Sequence, residues 1–270
     1  MPGRRVGPMP LVARAALLVS FPVVASILGA IVAVLKPPGP RVVSGVQHFT
    51  AGVVTAALVG ELMPELRHLG HLPWTVAGFV AGAALVLALG AYGRHMELHA
   101  SGAIPAHERR FGSFRRQSVQ AATAAALPVG MLAAVGIDLL LDGVLVGLGA
   151  RLGTAQGVIL TIALTLEILF LGLSVVSELR GEGVARRRAV MICALLGMMT
   201  AIGAVGAALF LGGVSTTVMA VVLAFGAAAL LYLVVEELLV EAHEEAESVA
   251  LGMMFFLGFL VIYVLSAVEF

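Results

Sequence analysis

The chain has 270 residues, 60% of them hydrophobic and only 12% charged, with a formal net charge of zero and a mean hydropathy of +1.07. A soluble domain averages about 25% charged residues, so a water-soluble globular fold is excluded. The neutral balance, with no basic run interleaved with aromatics, excludes nucleic acid as a partner, and the single cysteine, Cys193, excludes an internal disulfide or a cysteine-based zinc cluster.

A spanning helix needs about 20 mostly apolar residues. In chain order, eight segments qualify: 11–35, 42–66, 74–93, 119–149, 155–179, 189–211, 214–240 and 249–268. They predict an all-α integral membrane protein, a single polytopic domain over 1–270 whose first partner is the lipid bilayer. The first segment follows Arg4, Arg5 and Arg14, as a signal peptide would. Its apolar run exceeds the usual signal core of about 7–15 residues, and it is read as a retained helix.

The second segment carries His48 near one end and Glu61 and Glu65 near the other, Glu65 beside Pro64. His48 suits helix packing as well as it suits a ligand. Glu65, with His68 and His71, belongs at a water boundary, either attracting cations or simply solvated. After the third segment, residues 94–118 form an arginine-rich loop holding His95, Glu97, His99, His107 and Glu108. Histidine and carboxylate suit zinc, but no fixed chelating spacing arranges them.

The fourth and fifth segments hold the chemistry. Asp138 and Asp142 are one helical turn apart and share a face. Glu167 lies near the middle of the next segment, and Leu171, Ser174 and Glu178 continue its stripe. An ionised carboxylate at mid-bilayer costs at least a few kcal/mol, so it faces a partner, a cavity or a pathway. Three at similar depth can supply hard oxygen ligands to a divalent ion, or can stay protonated and join helices by hydrogen bonds. Glu178 reads equally as a solvated helix end.

The seventh segment ends in Glu236 and Glu237, whose adjacency points them to different faces, so at most one lines the same path. An acidic stretch follows, with Glu241, His243, Glu244, Glu245 and Glu247. It would collect an emerging cation or stand as a solvated loop. Glu237-Leu238-Leu239-Val240-Glu241 also echoes Glu61-Leu62-Met63-Pro64-Glu65 at the end of the second segment. With eight spans these two run in opposite directions, which predicts an inverted repeat of helices 1–3 against helices 6–8. Spacings such as Gly78–Gly82 and Gly143–Gly147 suit packing within the bundle or between protomers of a homodimer.

Charge predicts the topology. With both termini outside, the inner loops hold Lys36, Arg41, Arg94, Arg109, Arg110, Arg115, Arg116, Arg180, Arg186, Arg187 and Arg188, eleven of the sixteen basic residues. The 94–118 loop is then cytoplasmic. The compact length without added domains fits a bacterial inner membrane.

These residues resemble the ZIP family of divalent metal ion transporters. That family usually carries His-Asn-x-x-Asp/Glu-Gly in helix four; here Asp138-Leu139-Leu140-Leu141-Asp142-Gly143 keeps the final pair, with Asp138 in the histidine's place. The family pattern His-Glu-x-x-His-Glu in helix five becomes Leu166-Glu167-Ile168-Leu169-Phe170-Leu171, keeping only Glu167. The resemblance implies a ZIP-like bundle with a remnant transport site at Asp138, Asp142 and Glu167. It implies a divalent ion, zinc first, as transported substrate by alternating access, with no prosthetic group. Helices two and seven would line the route. Alternatives are a ZIP-like protein without transport, acting as a metal sensor or scaffold, and a proton-coupled carrier of another substrate. An enzyme is not expected: intramembrane aspartyl proteases place their aspartates on different helices, and Ser174 and Ser177 lack the Gly-x-Ser-x-Gly turn.

Overall fold

In a computed structural model, residues 9–100, 129–243 and 248–268 are described. Among them the protein is all-helical, with eight helices long and apolar enough to cross a membrane. They are α1 (Leu11–Leu35), α2 (Pro40–Leu69), α3 (Leu72–Ala100), α4 (Val129–Leu152), α5 (Thr154–Gly181), α6 (Arg186–Phe210), α7 (216–242) and α8 (Val249–Ala267). The backbone stays helical to Ala100, past the expected start of the long loop at 94; after Gly93 the stretch Arg94 to Ala100 holds no glycine or proline. His107, Glu108 and the arginines from 109 to 116 lie outside the described residues, as do Glu244, Glu245 and Glu247.

Local chemistry sets the helix ends. Lys36-Pro37-Pro38 stops α1, and Pro40 opens α2 at a position where its missing N–H costs nothing. Gly70 closes α2 with a left-handed φ of 71°, which a residue bearing Cβ resists. Ser215 and Ser248 cap α7 and α8, accepting bonds from the amides of Val218 and Leu251. Arg151, at the end of α4, donates to the carbonyls of Leu211 (2.7 Å) and Val214 (3.1 Å) just beyond α6.

Two helices are not regular. A wide π turn interrupts α2 at Leu58–Leu62 and another interrupts α7 at Leu233–Leu238. Pro64 removes the bond to Gly60 and would clash with its carbonyl, which the turn in α2 relieves. No proline accounts for the turn in α7.

Glycine decides which helices touch. A methyl group added at Gly143 would collide with the Thr200 carbonyl, pressing α4 to α6, and one at Gly172 with the Ser26 carbonyl, pressing α5 to α1. The same holds for Gly82 against Phe225, joining α3 to α7, and for Gly258 against Phe49, joining α8 to α2. The four closest pairs are therefore α1–α5, α4–α6, α2–α8 and α3–α7. The first two pairs associate into one bundle and the last two flank it, meeting it chiefly through α2. Gly78 and Gly147 likewise rest on Val221 and Ala204, so both GxxxG spacings pack inside the chain.

The inverted repeat is visible in these contacts. Phe49 and Phe225, Gly82 and Gly258, and Glu61 and Glu237 are all separated by one and the same interval. Gly29 meets the Leu169 carbonyl and Gly203 meets the Leu140 carbonyl, so α1 with α5 repeats α6 with α4.

Candidate metal centre

Asp138 and Asp142 project from α4, and Glu167 from α5, so that one oxygen from each lies within 4.8 Å of the others. Ligand oxygens sit roughly 2.0–2.6 Å from a divalent ion, and two ligands of one ion are at most about twice that apart. The trio fits a single shared ion. Asp142 and Glu167 are each 2% exposed, while Asp138 is half-buried. Both carboxylate oxygens of Glu167 and Oδ2 of Asp142 are buried without a hydrogen-bond partner among the described residues. Such groups are costly unless a cation or protons neutralise them. The arrangement can bind a hard cation through oxygen.

A small cleft beside Glu167 lies between α5 and the π turn of α7. Ser174 and Glu237 are its other polar lining, among Phe170, Leu171, Leu233 and Leu238. Glu237 also interacts electrostatically with Asp138, Asp142 and Glu167. Both members of the adjacent pair are exposed, but Glu237 lines the cleft and Glu236 does not. Sequence alone gives no preference between them, and both lie in the π turn of α7. Toward the opposite face the site is closed by packed apolar residues, among them Leu62, Leu66, Leu145, Leu148, Leu160 and Leu164.

The remaining expected residues lie apart from the trio. His48 and His243 come together where α2 meets the end of α7, ring centroids 5.1 Å apart. Nδ1 of His48 is 2.9 Å from the Ser44 carbonyl, and Nδ1 of His243 bonds the Leu239 carbonyl. A carbonyl only accepts, so Nδ1 carries the proton in both and Nε2 of the neutral ring keeps its lone pair. The hydroxyl of Ser44 donates to the Ala242 carbonyl at 2.7 Å, tying the two helix ends. Glu178 is exposed near the end of α5, and Glu241 sits in the last turn of α7. Glu61 is buried and accepts a 2.6 Å hydrogen bond from Ser266 of α8, while Glu65 is half-buried one turn further on. His71 pairs with Thr216 at 2.9 Å.

The family profile described as ZIP Zinc transporter matches residues 93–266. The chain belongs to the ZIP family. The match takes in α4 and α5 with all three clustered carboxylates. No curated protein gives a significant match. ZIP proteins are transporters of zinc and similar ions rather than enzymes, and the buried acidic cluster fits a metal site. This ZIP protein departs from the family's nitrogen ligands. Leu139 and Phe170 are buried apolar residues where the family carries Asn and His, and Leu166 packs with the apolar group around Ile159.

Proposed function

We propose that the protein carries divalent metal ions across a membrane, holding the ion in passing between Asp138, Asp142 and Glu167. The convergence of unpartnered, buried carboxylate oxygens on one point carries this reading. Oxygen ligands favour hard or borderline ions over soft ones such as Cu(I), and family kinship points to zinc or an ion of its size.

The mechanism is alternating access. The ion reaches the trio from one face, and movement of one helix bundle against the other exposes it to the opposite face. With both termini outside, as the arginine-rich loops favour, the cleft along Ser174 and Glu237 opens to the cytoplasm and represents the release side. From there Glu178, with the paired rings of His48 and His243, forms a route of ligating groups outward from the trio.

Uptake of zinc, manganese and iron(II) into proteoliposomes tests the proposal. Wild type is compared with a variant carrying Asp138→Asn, Asp142→Asn and Glu167→Gln. Flux that collapses to the background of empty liposomes in the variant supports the carrier. A folded wild type that moves no metal overturns it and leaves a ZIP protein acting as a sensor or scaffold. Flux of another substrate coupled to protons overturns it in the other direction.

A further inference from the structure

We infer that His48 and His243 form a second metal site, separate from the carboxylate trio, which takes zinc or another borderline divalent ion and clips the end of α7 to α2. The inference goes beyond the transport reading, in which these rings only line the way out. Here they hold an ion of their own, whether or not the trio carries one across.

Both rings are held in the same way. His48 donates from Nδ1 to the Ser44 carbonyl at 2.9 Å, one turn back in α2. His243, just past the last turn of α7, donates from Nδ1 to the Leu239 carbonyl, again one turn back. The tautomer is thereby fixed with the lone pair on Nε2, the form in which a neutral imidazole ligates a metal. A backbone carbonyl behind the ring is also the support that orients metal-bound histidines in general. Among the described residues no hydrogen bond takes up either Nε2.

The spacing fits one shared ion. Zinc lies about 2.0–2.1 Å from an imidazole nitrogen, hence about 3 Å from the ring centre, and at the tetrahedral angle two such centres stand about 5 Å apart. The ring centroids of His48 and His243 are 5.1 Å apart, their planes tilted by 52° rather than stacked. The frame beneath them is already tied. Ser44, whose carbonyl anchors His48, donates its buried hydroxyl to the carbonyl of Ala242, the residue before His243, at 2.7 Å. The two helix ends therefore need no rearrangement to present both rings. His48 is buried and His243 exposed, so water can reach the ion and fill its remaining positions.

The donors set the preference. Imidazole suits zinc, copper(II) and nickel, whereas manganese, magnesium and calcium favour oxygen. The site thus differs from the trio, whose carboxylates accept manganese as readily as their charge allows.

The test is metal binding to purified full-length protein in detergent. The background carries Asp138→Asn, Asp142→Asn and Glu167→Gln, so that the trio does not count. Asparagine keeps an amide N–H for the carbonyl that Nδ1 now bonds and lacks the nitrogen at the Nε2 position. In equilibrium dialysis against zinc, His48→Asn and His243→Asn should each bind one zinc per chain fewer than the background. The double variant should lose no more than either alone, and manganese should show no such deficit. Matching melting temperatures without metal establish that the variants fold. If His48→Asn fails that check, His243→Asn, at an exposed helix end, decides alone. Undiminished zinc in folded variants, a loss of two in the double variant, or an equal deficit with manganese overturns the site. Because the trio is already disabled, the result is independent of whether the wild type moves metal.

Discussion

Asp138 stands to Gly143 as Glu167 stands to Gly172: the same interval separates each carboxylate from a glycine that rests on the backbone of a neighbouring helix, Thr200 in one case and Ser26 in the other. The two outermost members of the trio are therefore repeat mates. Asp142 breaks the symmetry, since its mate is Leu171. The close glycine contacts hold α4 and α5 against α6 and α1, so the carboxylates sit on packed elements rather than loops, which favours a fixed ligand geometry.

Filling those contacts is costly. Gly143→Ala or Gly172→Ala drives a methyl into a backbone carbonyl, and overpacking of this kind costs about 1–3 kcal/mol. Thermal unfolding of purified protein in detergent should fall by several degrees for each. Gly136→Ala, whose methyl would meet only the Leu196 side chain at 3.5 Å, should change little. Equal melting temperatures for all three would mean that the helices are not so closely seated.

Arg151 offers a separate stability test. Its guanidinium bonds two carbonyls past the end of α6, that of Val214 and that of Leu211, which also accepts from the Val214 amide at 3.4 Å. Arg151→Ala should destabilise by about 1–3 kcal/mol, in the range for removing charged hydrogen bonds. Arg151→Lys, which cannot fork to both oxygens, should recover only part of that. Hydrogen exchange at the 211–214 connection reads the same loss locally, and unchanged protection there would contradict the capping role.

Acid should weaken metal binding. The trio's oxygens accept either protons or a cation, so binding a metal displaces whatever protons they hold. As pH falls, the apparent dissociation constant should rise by up to about tenfold per pH unit for each proton displaced. Equilibrium binding of manganese across a pH series measures the slope. A flat profile would place the metal on groups other than these carboxylates.

A nitrogen ligand should change the selectivity. Phe170 lines the cleft beside Glu167, in the position where the family pattern carries a histidine. Borderline ions gain more from imidazole than manganese does. In competition uptake, Phe170→His should shift the zinc-to-manganese ratio toward zinc by about tenfold or more. An unaltered ratio with intact flux would show that position 170 does not reach the ion.

Much of this was legible in the sequence because a bilayer enforces long apolar helices, and a charge inside one stands out. Eight apolar runs predict eight helices, and Asp138, Asp142 and Glu167 are conspicuous at mid-helix. The fragment Glu61 to Glu65 against Glu237 to Glu241 already shows the repeat. What the sequence hides is lateral: the pairing of α1 with α5 or α4 with α6 depends on glycines meeting carbonyls far away in the chain. Hydropathy cannot read such contacts, because lipid and helix are equally apolar. The choice of Glu237 over Glu236 for the cleft is equally hidden, because two adjacent glutamates are chemically identical.

The central claim is that a metal ion sits between Asp138, Asp142 and Glu167. The most direct measurement is anomalous scattering from crystals of the wild-type protein grown with manganese, collected on both sides of the manganese absorption edge. One peak among those three carboxylates, absent from crystals of Glu167→Gln, is the result this account predicts. A peak confined to other residues, or none at the trio in metal-saturated protein, would contradict it.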